Sequence, residues 1–308
     1  MNEPVLNGIA LTEKDRRDPL LRPGNSNCGG CGMSNLMQMF RRAAADHELK
    51  MVVPACCAAV TGGTFPQSAF GIPTIMSTFA SAASVASGLA AVAQLNGEGT
   101  RIVCLAGDGG TYDIGMGTLS AAAERNEDIL YICYDNEIYG NTGGQRSSAT
   151  PAGAATTSTP SGKREIKKDI LGIMAAHRIP YAASISLAHG DDTLRKLQYA
   201  LDTRGFRFLH VLSPCPTGWK SEPAMGIELV RLAVRSGLFP VFEIFDGERY
   251  VINVEPDFSA EALMMYLSLQ RRFRNTGVTE ESLQPNIERY WNYLRLMSGR
   301  IVPARRDV

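Results

Sequence analysis

Three groups of residues have types and spacings that can do chemistry. The first is Gly107-Asp108-Gly109-Gly110, followed 28 positions after the aspartate by Asn136 and then by Asn141-Thr142-Gly143. Glycines here let the backbone turn sharply and come close to a phosphate, beside a helix start that favours negative charge. Asp108 offers a hard carboxylate oxygen and Asn136 an amide oxygen. With diphosphate oxygens and water these complete a magnesium shell. A short Gly motif alone is equally an ordinary strand-to-helix turn with a solvated aspartate. The Asp135-Asn136 pair and Asn141-Thr142-Gly143 move the reading to a diphosphate-plus-metal site. The second group is the thiols: Cys28-x-x-Cys31, Cys56 25 positions later, and Cys215 far downstream. Four thiolates hold a [4Fe–4S] cubane or zinc. A C-x-x-C alone is also a redox pair, and Cys56-Cys57 are also packing residues. Cys104 and Cys133 lie inside apolar runs and read as core. The third group, the histidines, is set aside: His177 reads as a cap or interface residue, and His47, His189 and His210 show no partner spacing.

The elements that must position these groups are legible as alternation. Apolar runs at residues 102–106 and 129–134 flank the Gly-rich turn and a helical segment, making a βαβ unit with polar residues collected after both strands. Open α/β sheets bind ligands at that edge. A helix is expected over 34–46 with Ser34 as its N-cap, a short strand at 51–53, and a Gly/Pro-rich loop over 61–73. Residues 78–95 are small enough to pack closely in the interior or against another subunit. The polar loop 140–164 is long, and loops of that length are functional or disordered. Helices at 164–177 and 191–203 and strands at 181–185 and 208–212 continue the parallel pattern. A helix at 222–236, a hairpin over 241–253 and two tail helices at 259–273 and 285–297 complete the chain. The expected fold is α/β, a parallel sheet with helices on both faces. The expected division is an arm 1–27, a binding domain 28–250 and a helical tail 251–308.

Composition bounds the partners. Lys plus Arg equals Asp plus Glu, at 31 each among 308 residues, which argues against non-specific nucleic-acid binding. No run is long and apolar enough for a membrane span and no signal-peptide pattern opens the chain. A cytoplasmic location is expected, where seven cysteines serve as thiols or ligands rather than disulfides.

Taken together, CGGCG, PACCAAV, AGDGGTYDIG, YDNEIYGNTGGQ, ATPAGA, AHRIPYAAS, SPCPTGW and RLAVRSGLFPVFE resemble the β subunit of the pyruvate:ferredoxin oxidoreductase family, the thiamine-dependent 2-oxoacid:acceptor oxidoreductases. The resemblance covers nearly the whole chain from Cys28 to about Glu248. It implies that Cys28, Cys31, Cys56 and Cys215 ligate a [4Fe–4S] cluster. It also implies that Asp108, Asn136 and the carbonyl of Ile138 hold Mg2+ on thiamine diphosphate. Gly107, Gly109 and Gly110 would line the diphosphate, with Asn141 and Thr142 as catalytic residues beside cofactor and substrate. An α subunit would complete the active site with its activating carboxylate, and ferredoxin or ferredoxin-like γ/δ subunits would take the electrons. The implied reaction is oxidative decarboxylation of a pyruvate-like 2-oxoacid to acyl-CoA and CO2. Alternatives within the same chemistry are phenylglyoxylate or oxalate, with NAD as acceptor through a further subunit. A non-oxidative decarboxylase subunit and a zinc-stapled scaffold are the remaining readings. Met33, Asn25 and Phe65-Pro66-Gln67 depart from the family pattern near the expected pocket.

Overall fold

Apolar runs too short for helices, rich in Val, Ile and Tyr, form the strands of one sheet. The computed structural model describes residues 19–45, 47–63 and 66–299, with a two-residue strand pair, Val5–Leu6 (β1) and Ile9–Ala10 (β2). The rest of the expected arm, Asp46 at the expected helix end, Phe65 and residues 300–308 lie outside the described residues. After α1 (Gly32–Ala43), β3 (Leu49–Pro54), α2 (Cys57–Thr61) and β4 (Thr74–Ser77) come α3 (Ala82–Leu95) and β5 (Arg101–Gly107). Then follow α4 (Met116–Glu124), β6 (Ile129–Asp135), α5 (Ile170–Ala176), β7 (Tyr181–Ser186), α6 (Gly190–Asp202) and β8 (Arg207–Leu212). The chain ends through α7 (Pro216–Trp219), α8 (Gly226–Arg235), β9 (Val241–Phe245), β10 (Arg249–Val254), α9 (Ala260–Ser268) and α10 (Glu280–Ser298).

The eight-stranded sheet has the order β10-β9-β7-β8-β6-β5-β3-β4. Its pairs from β4 to β7 are parallel, while β9 runs antiparallel to β7 and to β10. Successive side chains of a strand point to opposite faces, and both faces are covered. Ile102, Cys104 and Ala106 pack against α3, α4 and α5, whereas Val103 and Leu105 pack against α1 and α6. Burying such aliphatic side chains contributes about 1.5–3 kcal/mol each before entropy is counted. The C-terminal ends of β8, β6, β5 and β3 are neighbours. The Cys215, Asn136, Asp108 and Cys56 segments therefore emerge side by side along one edge. The chain also reverses its direction of winding between β3 and β5, the crevice where open sheets take ligands.

Three expectations are corrected. The helix expected from 164 starts only at Ile170, with the Asp169 carboxylate accepting Gly172 N–H; the preceding lysines are drawn out of helical register to reach buried carboxylates. Ser34 is not the cap of α1. That helix starts at Gly32 with Cys31 as N-cap, because Gly32 N–H is bound to Pro214 O at 3.0 Å, and Ser34 instead accepts the Asn27 amide at 2.8 Å. The Gly/Pro-rich stretch is followed by an edge strand, β4, that the expected pattern did not include.

The C-terminal helices pack with α7 and α8 in a third apolar cluster. Arg272, 2 % exposed, reaches back to Glu137 Oε2 at 2.6 Å and lies over the Trp219 ring, 4.5 Å from its centroid. Breaking one side of a buried pair costs about 3–5 kcal/mol. Arg272→Ala is therefore expected to lower the thermal unfolding midpoint by about 6 °C or more. An unchanged melt would show that the tail is held elsewhere.

Candidate active site

A cavity of about 400 Å3 opens at the β3/β5/β6 edge. Asp108 follows β5 and starts a wide, π-type helical turn, Gly109–Asp113, that leads into α4. None of Gly107, Gly109 and Gly110 has a positive φ, so the turn does not use the left-handed backbone that glycine permits. What the structure requires is space. A Cβ at Gly109 would lie 2.3 Å from the Tyr139 ring. A Cβ at Gly107 or Gly110 would meet only ordinary contacts at 3.6 Å, so only Gly109 is required by close packing. All three glycines line the cavity with Asp108, Asn136, Ile138, Asn141, Thr142, Cys56 and Cys57.

Three oxygens converge there. The side-chain oxygen of Asn136 lies 2.9 Å from Asp108 Oδ1 and 2.9 Å from the Ile138 carbonyl oxygen, with only acceptors around it. Turning the amide over would convert both contacts into hydrogen bonds; which atom is the oxygen is read from the surroundings. As it stands, a carboxylate, an amide oxygen and a main-chain carbonyl face one point, a donor set that suits a hard divalent cation. Burial, with Asp135 nearby, pushes Asp108 well above the usual carboxylate range, against the opposing effects of Ser147 and Lys167. A positive charge at the oxygens would relieve that penalty.

Beneath these ligands is a buried charge layer that sequence reasoning missed. Burial alone would raise Asp135, but Lys167 and His210 outweigh it and hold the carboxylate well below its usual range. Lys167 Nζ is 2.6 Å from Asp135 Oδ2 and 2.9 Å from Glu137 Oε1. His210 Nε2 is 2.8 Å from Asp135 Oδ2, and the Tyr112 hydroxyl joins both. Glu137 adopts φ +64°, a left-handed conformation rare for its type, with its N–H on Asp135 Oδ1 at 2.9 Å. Ser147 donates to Asp108 Oδ2, and Thr150 donates to the Glu137 carbonyl at 2.7 Å. The long polar loop is thereby fixed under the site. Trp219 Nε1 donates to Asn136 O at 2.9 Å, tying the Cys215 segment to the cation ligands.

The thiols gather on the same edge. The C-x-x-C turn docks on the Cys215 segment: a Cβ at Gly32 would lie 2.4 Å from Pro214 Cδ and one at Gly30 2.2 Å from Pro223 O. Cys28, Cys31, Cys57 and Cys215 all act electrostatically on one another. Cys56 is turned to the Tyr134 hydroxyl, which itself accepts Ala58 N–H at 3.0 Å. Burial raises the thiols of Cys31, Cys56 and Cys57 and pushes Cys215 up to about 12. Reactive dithiols have lowered values, so a redox pair is the poorer reading, whereas a bound metal draws off thiol protons outright. Among the described residues, no group of three or more His, Cys, Asp or Glu converges on one point as a single metal ion requires; a four-iron cluster spreads its thiolates wider. Met33 is buried in the core at 1 % exposure and does not line the cavity, so that departure bears on packing rather than substrate.

Known proteins resemble this chain in sequence and in fold. Residues 55–211 match the family described as thiamine pyrophosphate enzyme, C-terminal TPP binding domain. Over 288 residues the chain is 40 % identical to ketoisovalerate oxidoreductase subunit VorB of Pyrococcus horikoshii, covering 89 % of this chain and 92 % of the relative. The chain belongs to the thiamine-dependent 2-oxoacid oxidoreductase β-subunit family. Another member, pyruvate synthase subunit PorB of Methanothermobacter marburgensis, is 39 % identical over 270 residues, covering 86 % of this chain and 92 % of the relative. The fold of the family recurs in a solved 2-oxoglutarate:ferredoxin oxidoreductase from Magnetococcus marinus with 2-oxoglutarate, coenzyme A and succinyl-CoA bound. That match has a TM-score of 0.58 at 22 % identity and covers 70 % of this chain and 79 % of that one. As a member of the family the chain is an oxidoreductase subunit with a thiamine-diphosphate-binding fold. Among the described residues no helix is long and apolar enough to cross a membrane.

Proposed function

We propose that this chain holds thiamine diphosphate through Mg2+ at Asp108, Asn136 and the Ile138 carbonyl, and a [4Fe–4S] cluster at Cys28, Cys31, Cys57 and Cys215. The convergence of three oxygens on one point beside a glycine-floored cavity carries the first half of this reading. The docking of the C-x-x-C turn on the Cys215 segment supports the second, and the expected fourth ligand, Cys56, is corrected to Cys57: Cys57 acts electrostatically with the other three thiols, whereas the Cys56 thiol is engaged by Tyr134. When bound, the thiamine cofactor supplies the electron sink for decarboxylating a 2-oxoacid and the cluster a one-electron path out.

The protein's own contribution is positioning and exclusion. Gly107 and Gly110 line the cavity beside the cation ligands, while the Tyr139 ring closes over Gly109. Asn141 and Thr142 stand at the cavity mouth, where Thr142 Oγ1 donates to Gln145 Oε1 at 2.6 Å. They are placed to meet cofactor and substrate. The Asp135–Lys167–Glu137–Arg272 layer fixes the ligand turn from below.

Among the described residues lining the cavity, Asp108 is the sole carboxylate, and Glu137 is turned away into Lys167 and Arg272. An activating carboxylate must then come from a partner α subunit. The edge strand β4 bears Ile75 and Met76 exposed at 43 % and 44 %, an unprotected edge of the kind that pairing or packing covers. Electrons would leave through ferredoxin or ferredoxin-like subunits, and the acyl group would pass to coenzyme A. The named relatives favour a small aliphatic 2-oxoacid, pyruvate or ketoisovalerate, over an aromatic one. A substrate screen of the native complex with a viologen acceptor tests this. The highest kcat/KM is expected with an aliphatic 2-oxoacid; faster turnover of phenylglyoxylate would move the substrate class.

A further inference from the structure

The four cluster thiols differ in where their hydrogen bonds come from. Cys31 takes the main-chain N–H groups of Met33 and Ser34, and Cys215 takes that of Gly218 at 3.3 Å. Cys28 takes the Thr217 hydroxyl at 3.8 Å. These donors all belong to the turns that carry the thiols. Cys57 is different. Among the described residues that line the cofactor cavity it is the one cluster thiol. Its sulfur accepts from Asn141 Nδ2 at 3.3 Å and, more distantly, from Asn136 Nδ2 at 3.8 Å. Resting on the cluster reading above, we propose that Asn141 acts through Cys57 as a positioning residue for electron transfer. Its side-chain amide donates to Cys57 Sγ and raises the reduction potential of the cluster at the one ligand that borders the cofactor cavity.

A ligating cysteine is a thiolate, charged and without a proton, so only the nitrogen of the Asn141 amide can face it. Reduction adds one electron to the cluster, and part of that charge falls on the cysteine sulfurs. An N–H aimed at such a sulfur stabilises the reduced state more than the oxidised one, and its loss lowers the potential. Both ends of the bond are anchored. Thr61 Oγ1 donates to the Cys57 carbonyl at 2.8 Å, and the Tyr134 hydroxyl accepts the next N–H at 3.0 Å. Asn141 sits in a turn closed by Tyr139 N–H on the Gln145 carbonyl and Gly144 N–H on the Tyr139 carbonyl, both at 3.0 Å. Asn136 is the lesser donor, because it is farther away and its amide must also present an oxygen to the cation. The donors to Cys31 and Cys215 are main-chain groups set by the fold, whereas the donor to Cys57 is a side chain at the cavity mouth. A higher potential there makes the cluster a stronger acceptor for electrons leaving the cavity.

The test is a potentiometric titration of the assembled complex, stripped of thiamine diphosphate and divalent cation so that altered cofactor content cannot mimic the effect. The readout is the EPR signal of the reduced cluster that Cys215→Ser removes, with iron and sulfide analysed in parallel. Asn141→Ala is expected to lower the midpoint until the reduced-to-oxidised ratio at a fixed potential falls about tenfold, equivalent to about 59 mV for one electron. Asn141→Asp, whose carboxylate cannot donate and adds negative charge, is expected to lower it further. Thr142→Val alters the same cavity mouth, but Thr142 donates to Gln145 rather than to a sulfur, and its midpoint is expected to equal the parent's. Iron and sulfide should be unchanged in all three variants. An Asn141→Ala midpoint equal to the parent's overturns the proposal, and so does a Thr142→Val shift of the same size, which would trace the effect to the cavity mouth as a whole. Loss of iron in Asn141→Ala also overturns it, by making Asn141 a support of cluster assembly. If Cys57→Ala keeps both the signal and the iron, the cluster reading itself fails at Cys57, a result distinct from these.

Discussion

Asp108→Ala is expected to weaken thiamine diphosphate binding by more than about 100-fold, beyond what loss of an outer-sphere partner of a metal costs, while cluster iron stays in place. Asp108 contributes the one charged oxygen among the three that converge, and without it an amide and a carbonyl face the cation alone. The substitution also separates function from folding. In the bare protein, burial and the neighbouring Asp135 push the Asp108 carboxyl well above its usual range, so its charge is not what stabilises the fold. Asp108→Asn, which keeps the shape and can still meet Ser147, is expected to melt at or above the parent temperature while still losing most cofactor. The checks are thiamine diphosphate content by fluorescence after conversion to thiochrome, iron by colorimetry, and a thermal melt. Normal cofactor content in Asp108→Ala would remove Asp108 from the cation's shell.

Cys215→Ala is expected to remove the EPR signal of the cluster held by this chain and about four iron and four sulfide per copy. Cys215 is the ligand candidate with the fewest alternatives. Its sulfur accepts Gly218 N–H at 3.3 Å, it caps α7, and burial holds its thiol at about 12 until a metal takes the proton. Because the cap is itself worth about 1 kcal/mol, Cys215→Ser is the sharper variant: the hydroxyl keeps an acceptor at the cap but replaces the sulfur ligand. The account predicts a preserved melt and a lost signal for the serine variant. An unchanged spectrum and iron count would place the fourth ligand elsewhere. The same spectra on Cys57→Ser and Cys56→Ser decide which of the adjacent thiols joins the cluster.

What the sequence alone reveals of this site follows from the range of each interaction. The βαβ frame around Asp108 was legible because strand burial is written in consecutive apolar residues, and the ends of β5 and β6 coincide with the motif glycines and the Asp-Asn pair. The gathering of Cys28, Cys31 and Cys215 needed the recognised pattern, since nothing in local spacing says that β3 and β8 end on one edge. The supporting layer was not legible. His210 shows no local partner, yet β8 lies beside β6 and sets Cys133 opposite His210, which puts the imidazole against Asp135. Lys167 and Lys168 fall within the helix expected over 164–177. They are instead withdrawn from it, one to Asp135 and Glu137 and the other to the Tyr112 carbonyl. Arg272, 135 positions from Glu137, lay in what read as a peripheral tail. In each case a long-range electrostatic contact outweighed local propensity, which is a weak determinant beside burial of paired charge.

The central claim is that the cofactor's diphosphate is held at the β5/β6 edge through a divalent cation. It is tested most directly by binding thiamine diphosphate to the stripped native complex with and without Mg2+. The account predicts saturable binding that requires the cation, is abolished by chelator and is lost in Asp108→Ala, with iron unchanged throughout. Binding that survives chelation and is indifferent to Asp108 would contradict it.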